Sequence, residues 1–264
     1  MYNFNYQRAS SRDDAKAKRG DAEDGSYLAG GMTLLPTMKQ RLASPSDLID
    51  LAGVSDLAGI RRDGDAVVIG AMTTHAAVAA SADVGEAIPA LAALASHIGD
   101  PQVRNRGTIG GSIANADPAA DYPAAIVGLG ATVRTDAREI AGDDFFTGMF
   151  ETALNDGELV TEVSFPVPEA ACYMKFPNPA SRYAIVGVMV ARTAGGVRVA
   201  VTGAGPSVFR SAEMEQALSG NFSPDALDGI SVPAGDLNAD IHADSDYRAH
   251  LVGVMAKRAA AGCG

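Results

Sequence analysis

The segment Asp100-Pro101-Gln102-Val103-Arg104-Asn105-Arg106-Gly107-Thr108-Ile109-Gly110-Gly111-Ser112 is dense in glycine and polar side chains, yet it lies in the middle of a chain that is 47% apolar. It follows an alanine-rich apolar stretch, Ile88 to Ile98, that reads as a buried helix ending at Gly99, and it precedes a second helical stretch, Pro118 to Leu129. A polar loop held between buried helices is costly unless something satisfies its backbone groups. Its end, Thr108-Ile109-Gly110-Gly111-Ser112, has a counterpart near the N-terminus in Ala29-Gly30-Gly31-Met32-Thr33. That earlier turn follows a short strand, Tyr27 to Ala29, and leads into a helix over Thr33 to Arg41. A Gly-Gly pair after a strand lets successive N–H groups converge on an anion without Cβ interference, and Thr33, Thr108 and Ser112 add hydroxyl donors. Either turn alone is more often an ordinary turn. Two of them, each flanked by Thr or Ser and by apolar elements, point to a bound pyrophosphate.

The net charge of −11 argues against nucleic acid and requires any anionic ligand to be held locally, by backbone amides or a few arginines. Neither turn is a dinucleotide fingerprint: the nearest candidate, Gly203-Ala204-Gly205-Pro206-Ser207-Val208, fails at its last position and places proline in the turn. Cys172 and Cys263, the two cysteines, read as free thiols and cannot build an iron–sulfur cluster, which usually needs four ligands. His75, His97, His242 and His250 have no metal spacing, and His97 reads as a helix C-cap. No run of about 18 apolar residues and no secretion signal is present, so a cytoplasmic protein is expected.

The remaining pattern gives strands at Asp47 to Leu51, Ala66 to Ala71 and Leu159 to Pro166, with Thr73 or Thr74 capping a helix from His75 to Ala80. Arg12 to Asp24 reads as a solvated helix or loop. Composition changes at Pro166-Val167-Pro168, which places a domain boundary near residues 166–171. Beyond it, Ala184 to Ala191 and Gly196 to Thr202 form a hairpin around Gly195-Gly196, followed by helices near Ser211 to Ser219 and Asp246 to Ala261. Arg104 and Arg106 could face phosphates, hold the loop through carbonyls or meet a partner. Asp117 reads as an N-cap with Pro118 at the first helical position, and Asp121, one turn on, could accept from a ribityl or ribose hydroxyl.

Together Leu28 to Lys39, Ile69-Gly70-Ala71-Met72-Thr73-Thr74-His75, the long segment Ile98 to Ser112, Asp117-Pro118-Ala119-Ala120-Asp121, Gly157-Glu158-Leu159 and Ser181-Arg182-Tyr183-Ala184 resemble the flavin-binding medium subunits of molybdenum hydroxylases, as in carbon monoxide dehydrogenase and the middle domain of xanthine dehydrogenase. The resemblance implies an α+β fold. A two-lobed FAD-binding domain of the PCMH type would span 1–168, with lobes of about 1–52 and 53–168. A small C-terminal α+β domain, a three-stranded antiparallel sheet with helices, would span 169–264. It implies noncovalent FAD, with Ala29, Gly30, Gly31, Met32, Thr33 and Leu34 around the pyrophosphate and Thr108, Gly111, Ser112 and Asn115 on the other side. Asp121 would meet a ribityl or ribose hydroxyl. Leu159 and Val160 would pack near the adenine or the ring, Lys175 would lie near the isoalloxazine, and Tyr183 would stack beside it. It further implies a large molybdenum-binding partner, a small partner with [2Fe–2S] clusters, and a dimer of such heterotrimers. Met32 stands where family members often carry a polar residue, so backbone contacts would have to suffice there.

Overall fold

A computed structural model describes residues 1–263 of the chain. The first lobe opens with β1 (Asn5–Arg8) and α1 (Arg12–Asp21), whose first turn is capped by the Ser11 side chain accepting from the Asp14 amide at 3.1 Å. β2 (Gly25–Leu28), α2 (Leu34–Lys39) and β3 (Asp47–Asp50) follow. β1 and β2 both run parallel to β3, which lies between them, an arrangement that needs the α1 crossover. Ala15, Ile49, Leu51 and Leu57 fill the small core beneath.

The second lobe carries β4 (Ile60–Asp63), β5 (Ala66–Gly70), α3 (His75–Ala80), α4 (Ala82–Ala87), α5 (Pro89–Ser96), α6 (Pro101–Arg106), α7 (Ile109–Asn115), α8 (Tyr122–Gly128), β6 (Thr132–Thr135), β7 (Glu139–Ala141), α9 (Gly142–Phe145), β8 (Phe146–Gly148), β9 (Glu151–Thr152) and β10 (Val160–Pro166). Its sheet is antiparallel in the order β4-β5-β10-β6-β7, backed by Leu91, Leu94, Ile109, Tyr122, Phe145 and Phe165. The segment read as a polar loop is two helices. Asp100 caps α6 by accepting from the Val103 amide at 2.8 Å, and Thr108 caps α7 by accepting from Gly111 at 3.1 Å. Glycine permits this because a Cβ at Gly110 would stand 2.6 Å from the Ala71 Cβ, so α7 can settle against the end of β5. Asp117 likewise departs from expectation: it accepts from the Ala119 amide at 2.9 Å in a turn, and α8 begins only at Tyr122.

β11 (Ala170–Pro177), β12 (Ala184–Thr193), β13 (Gly196–Thr202) and β14 (Phe209–Arg210) form the last sheet, antiparallel in that order, followed by α10 (Ala212–Gly220) and α11 (Ser245–Gly262). To the three strands expected it adds the two-residue β14. β12 is buried from Ala184 to Ala191 because both its faces are covered. Met189 and Ala191 belong to the core of the second lobe, while Val186, Val188 and Val190 pack in the cluster that includes Met255 and Ala259 of α11. Arg248 of α11, 4% exposed, donates from one terminal nitrogen to the carbonyls of Ile185 at 2.7 Å and Gly203 at 3.0 Å.

Two lobes meet where the first Gly-Gly turn touches the α6–α7 junction. A Cβ at Gly30 would lie 2.0 Å from the Arg106 carbonyl oxygen and 2.9 Å from the Gly107 Cα, so only glycine lets the backbones approach. The face of α1 supplements this with ion pairs from Arg12 to Asp56, Lys16 to Asp136 and Arg19 to Asp156, each worth little alone at an exposed site. Gly30→Ala should therefore lower stability by about 3 kcal/mol in urea unfolding, since backbone must yield, whereas Gly20→Ala in α1, with nothing within 4 Å, should be neutral or stabilising. Equal stability of the two variants would contradict the contact. Arg248→Met should cost about 3 kcal/mol by orphaning two buried carbonyls, read by the same unfolding curves.

Candidate functional site

A cleft of about 660 Å³ lies between the lobes, inside the range of small-molecule and cofactor sites. Its walls are the turn after β2, the α6–α7 region, the stretch Gly157 to Val160, and the loop Ser181 to Tyr183. Every residue expected at the site lines it except Lys175.

Backbone donors are distributed unequally between the two glycine turns. From Ala29 through Leu34 no amide finds a hydrogen-bond partner among the described residues, and Gly31, at φ +73°, has the left-handed conformation that turns this run of donors toward the cleft. In the second turn the donors are already engaged. Ile109 donates to the Thr73 carbonyl at 3.1 Å, Gly110 to Ala71 at 2.9 Å, Gly111 to the Thr108 hydroxyl at 3.1 Å and Ser112 to the Thr108 carbonyl at 3.0 Å. The expectation that both turns present converging amides holds for the first only. What the second contributes is a bare glycine surface and the side chains of Ser112 and Asn115, which have no partner among the described residues. A Cβ at Gly111 would lie 3.4 Å from the Ala29 Cβ, so the two turns form facing sides of one floor. An anionic dinucleotide suits this donor set: unspent amides for phosphate, small residues for close approach, and hydroxyl and amide side chains for sugar oxygens.

Asp121 is buried at the wall, with one carboxylate oxygen accepting from the Tyr173 hydroxyl at 2.5 Å and the other from the Lys175 ammonium at 2.9 Å. Burial pushes its carboxyl above the usual range, against the pull of Lys175 and Tyr173. Lys175, expected near the isoalloxazine, thus sits behind the wall as the partner of Asp121 and of the His97 carbonyl at 3.1 Å and does not line the cleft. The geometric reason is that β11 packs against α5, and a lysine there reaches the first buried carboxylate it meets. Tyr183 stands at the mouth, 45% exposed, its hydroxyl pushed up by desolvation and then by Asp117 and Asp121. Arg104 resolves to the carbonyl option, donating to Ile98 and Gly99 at 3.0 Å each.

Several wall residues escaped the sequence reading. His75 is buried with its Nδ1 unpartnered, and desolvation, aided by Arg104, lowers its pKa to about 4, so it is a neutral ring at pH 7. Tyr27 closes one end by donating to the Gly157 carbonyl at 3.1 Å, beside Arg19. Glu158, held down to about 2 chiefly by the Arg138 guanidinium, fixes the turn before Leu159 by accepting the Asn155 amide at 2.8 Å. His75 was weighed only as a metal ligand, and no local pattern marks a tyrosine that meets its partner 130 residues away or an ion pair formed across 20.

The relatives of this chain agree with that geometry. Residues 2–168 match the family model described as the FAD binding domain in molybdopterin dehydrogenase. The carbon monoxide dehydrogenase medium chain of Afipia carboxidovorans is 37% identical over 279 aligned positions, covering 97% of this chain and 95% of its own. The nicotine 6-hydroxylase medium subunit of Paenarthrobacter nicotinovorans is 36% identical, covering 96% and 94% respectively. In three dimensions the chain is similar to a chain in the crystal structure of the cyanide-inactivated Cu,Mo-CO dehydrogenase, with a TM-score of 0.91 at 35% identity, over 100% of this chain and 99% of that one. Fold, cleft and relatives converge, and the chain belongs to the FAD-binding medium subunits of the molybdopterin-dependent dehydrogenases.

Proposed function

We propose that this chain is the electron-relay subunit of a cytoplasmic molybdenum hydroxylase, holding the flavin through which electrons from [2Fe–2S] clusters of a small partner subunit leave for an external acceptor. Substrate hydroxylation belongs in this reading to a large molybdenum-binding partner, and the assembly is a dimer of heterotrimers. The support is the family membership, the medium-subunit relatives and one observation above others: the run of unpartnered amides from Ala29 to Leu34 facing the cleft. Among the described residues, no three His, Cys, Asp or Glu side chains are grouped to hold a metal, and no helix is long and apolar enough to cross a membrane.

Bound noncovalently, FAD would supply the redox chemistry. The chain's own residues place and shield it. The amides of Ala29, Gly30, Gly31, Met32, Thr33 and Leu34 take the pyrophosphate, and Met32, whose side chain is no donor, contributes through its backbone as the others do. Thr108, Gly111, Ser112 and Asn115 line the facing side, and Asp121 accepts from a ribityl or ribose hydroxyl. Leu159 and Val160 give apolar surface to the adenine or the ring, and Tyr183 covers the isoalloxazine.

The purified complex should release FAD on mild denaturation, and a complex that is colourless and refuses reconstitution would overturn the reading. A Cβ at Gly111 meets only the Thr108 hydroxyl at 3.0 Å and Ala29 at 3.4 Å, so the backbone tolerates a side chain there with a small adjustment. Gly111→Asp should then unfold within about 1 kcal/mol of the parent while losing bound flavin, because its carboxylate opposes the pyrophosphate. His97→Ala, an exposed side chain, should keep its flavin; equal retention in both variants would show that the site is misplaced.

A further inference from the structure

Cys172 and Cys263 are the only cysteines in the sequence and stand far apart along it, yet the fold brings them to one seam. β11 is an edge strand of the last sheet, and Cys172, Met174 and Phe176 alternate along it onto the face that packs against α11. Cys263 stands at the C-terminal end of α11, its amide donating to the Ala259 carbonyl at 3.1 Å. That end of the helix lies against Cys172: a Cβ at Gly262 would come within 2.6 Å of the Cys172 sulfur. The Cys263 thiol in turn donates to the Val190 carbonyl at 3.4 Å, and Val190 is the residue opposite Cys172 in the β11–β12 register. Both side chains are half-buried, which leaves them open to small solutes. The two thiols are unlike. A hydrogen bond from Cys263, helped by the Tyr173 amide, holds the Cys172 thiol down to about 7 against desolvation. The same contact and burial push the Cys263 thiol up against the pull of Arg192, and the carbonyls ending α11 disfavour an anion there.

We propose that this pair is an oxidation site for hydrogen peroxide, with Cys172 the attacking sulfur and Cys263 the resolving one, and that the resulting disulfide ties the end of α11 to β11. The Cys172 thiolate attacks one peroxide oxygen and the O–O bond breaks. The other oxygen leaves as hydroxide and takes a proton from solvent to become water, while Cys172 becomes a sulfenic acid. Cys263 then attacks that sulfur, gives up its proton, and the sulfenic oxygen departs as a second water as the S–S bond forms. Two thiols have lost two electrons between them, and one hydrogen peroxide has gained them. The bond closes a loop of about ninety residues and so restricts the unfolded chain strongly. It also fixes the strand whose opposite face carries Tyr173 and Lys175, the two partners of Asp121 at the cleft wall.

The full chain treated with hydrogen peroxide, alkylated at its remaining thiols and mapped by peptide mass should yield a crosslinked pair carrying Cys172 and Cys263. That pair should be about 2 Da lighter than the two reduced peptides together and should be split by dithiothreitol. Before oxidation, iodoacetamide at neutral pH should alkylate Cys172 at least about tenfold faster than Cys263. In Cys263→Ser the same peroxide treatment should leave Cys172 as a sulfenic acid that dimedone traps, and in Cys172→Ser it should leave Cys263 reduced. The oxidised chain should melt about 5 °C or more above its reduced form, a difference that both serine variants lose. Survival of both thiols, sulfinic acid without a crosslink, a disulfide joining two copies of the chain instead of two residues of one, or equal melting of the two forms would overturn the proposal.

Discussion

The distance between the lobes is set by backbone touching backbone. Gly30 rests on the Arg106 carbonyl, Gly107 leaves its Cβ position to the His75 ring, and Gly110 lies on Ala71. Each of these contacts would be blocked by a single methyl group. The cleft is what is left when two lobes pack this closely at one end and are held by Tyr27 and the α1 ion pairs at the other. Its width is therefore a property of main-chain geometry, which is stiffer than any arrangement of long side chains.

That construction decides which donors are free. The N-terminus of α7 must be tied down to bring Gly110 onto β5, and its first amides are spent on Thr73, Ala71 and Thr108 in doing so. The turn after β2 faces a carbonyl rather than a donor network, and its amides stay unpaired. An unpaired run of N–H groups is tolerable only where water or a ligand reaches it, so the first turn is pre-organised for an anion while the second is a rigid wall. An acidic chain gains from such a design, because dipoles attract phosphate without adding positive charge that the surrounding carboxylates would neutralise.

Much of this was legible in the sequence, and the omissions have a common cause. Helices, strands and the location of both turns follow from local periodicity and capping, as with Thr74, which accepts from the Ala77 amide at 3.2 Å as its position predicts. The α6 and α7 helices were missed because six and seven residues carry too little periodicity to outweigh three glycines, and the glycines were needed for packing rather than for a loop. Relative weight was misjudged in the same way: the longer motif identifies the family, yet its amides are occupied, which only the tertiary contacts of Ala71 and Thr73 determine. Lys175 could not be placed, since an alternating strand gives its face but not the carboxylate beneath it.

The Asp121 cluster shows how the C-terminal sheet enters the site without lining much of it. An isolated carboxylate at 4% exposure would be expensive, and its cost is offset by Tyr173 and Lys175, both supplied by β11. A carboxylate has about four acceptor positions, and these two donors use two of them, so Asp121 keeps capacity for a hydroxyl arriving from the cleft. The same pairing ties β11 to the residue just before α8, and Gly187 leaves room for the Tyr173 hydroxyl: a Cβ there would come within 2.2 Å of it. Removing the C-terminal sheet would thus strand a buried charge on the cleft wall, which explains why a sheet so far along the chain is bound to the fate of a site built mainly from the two preceding lobes.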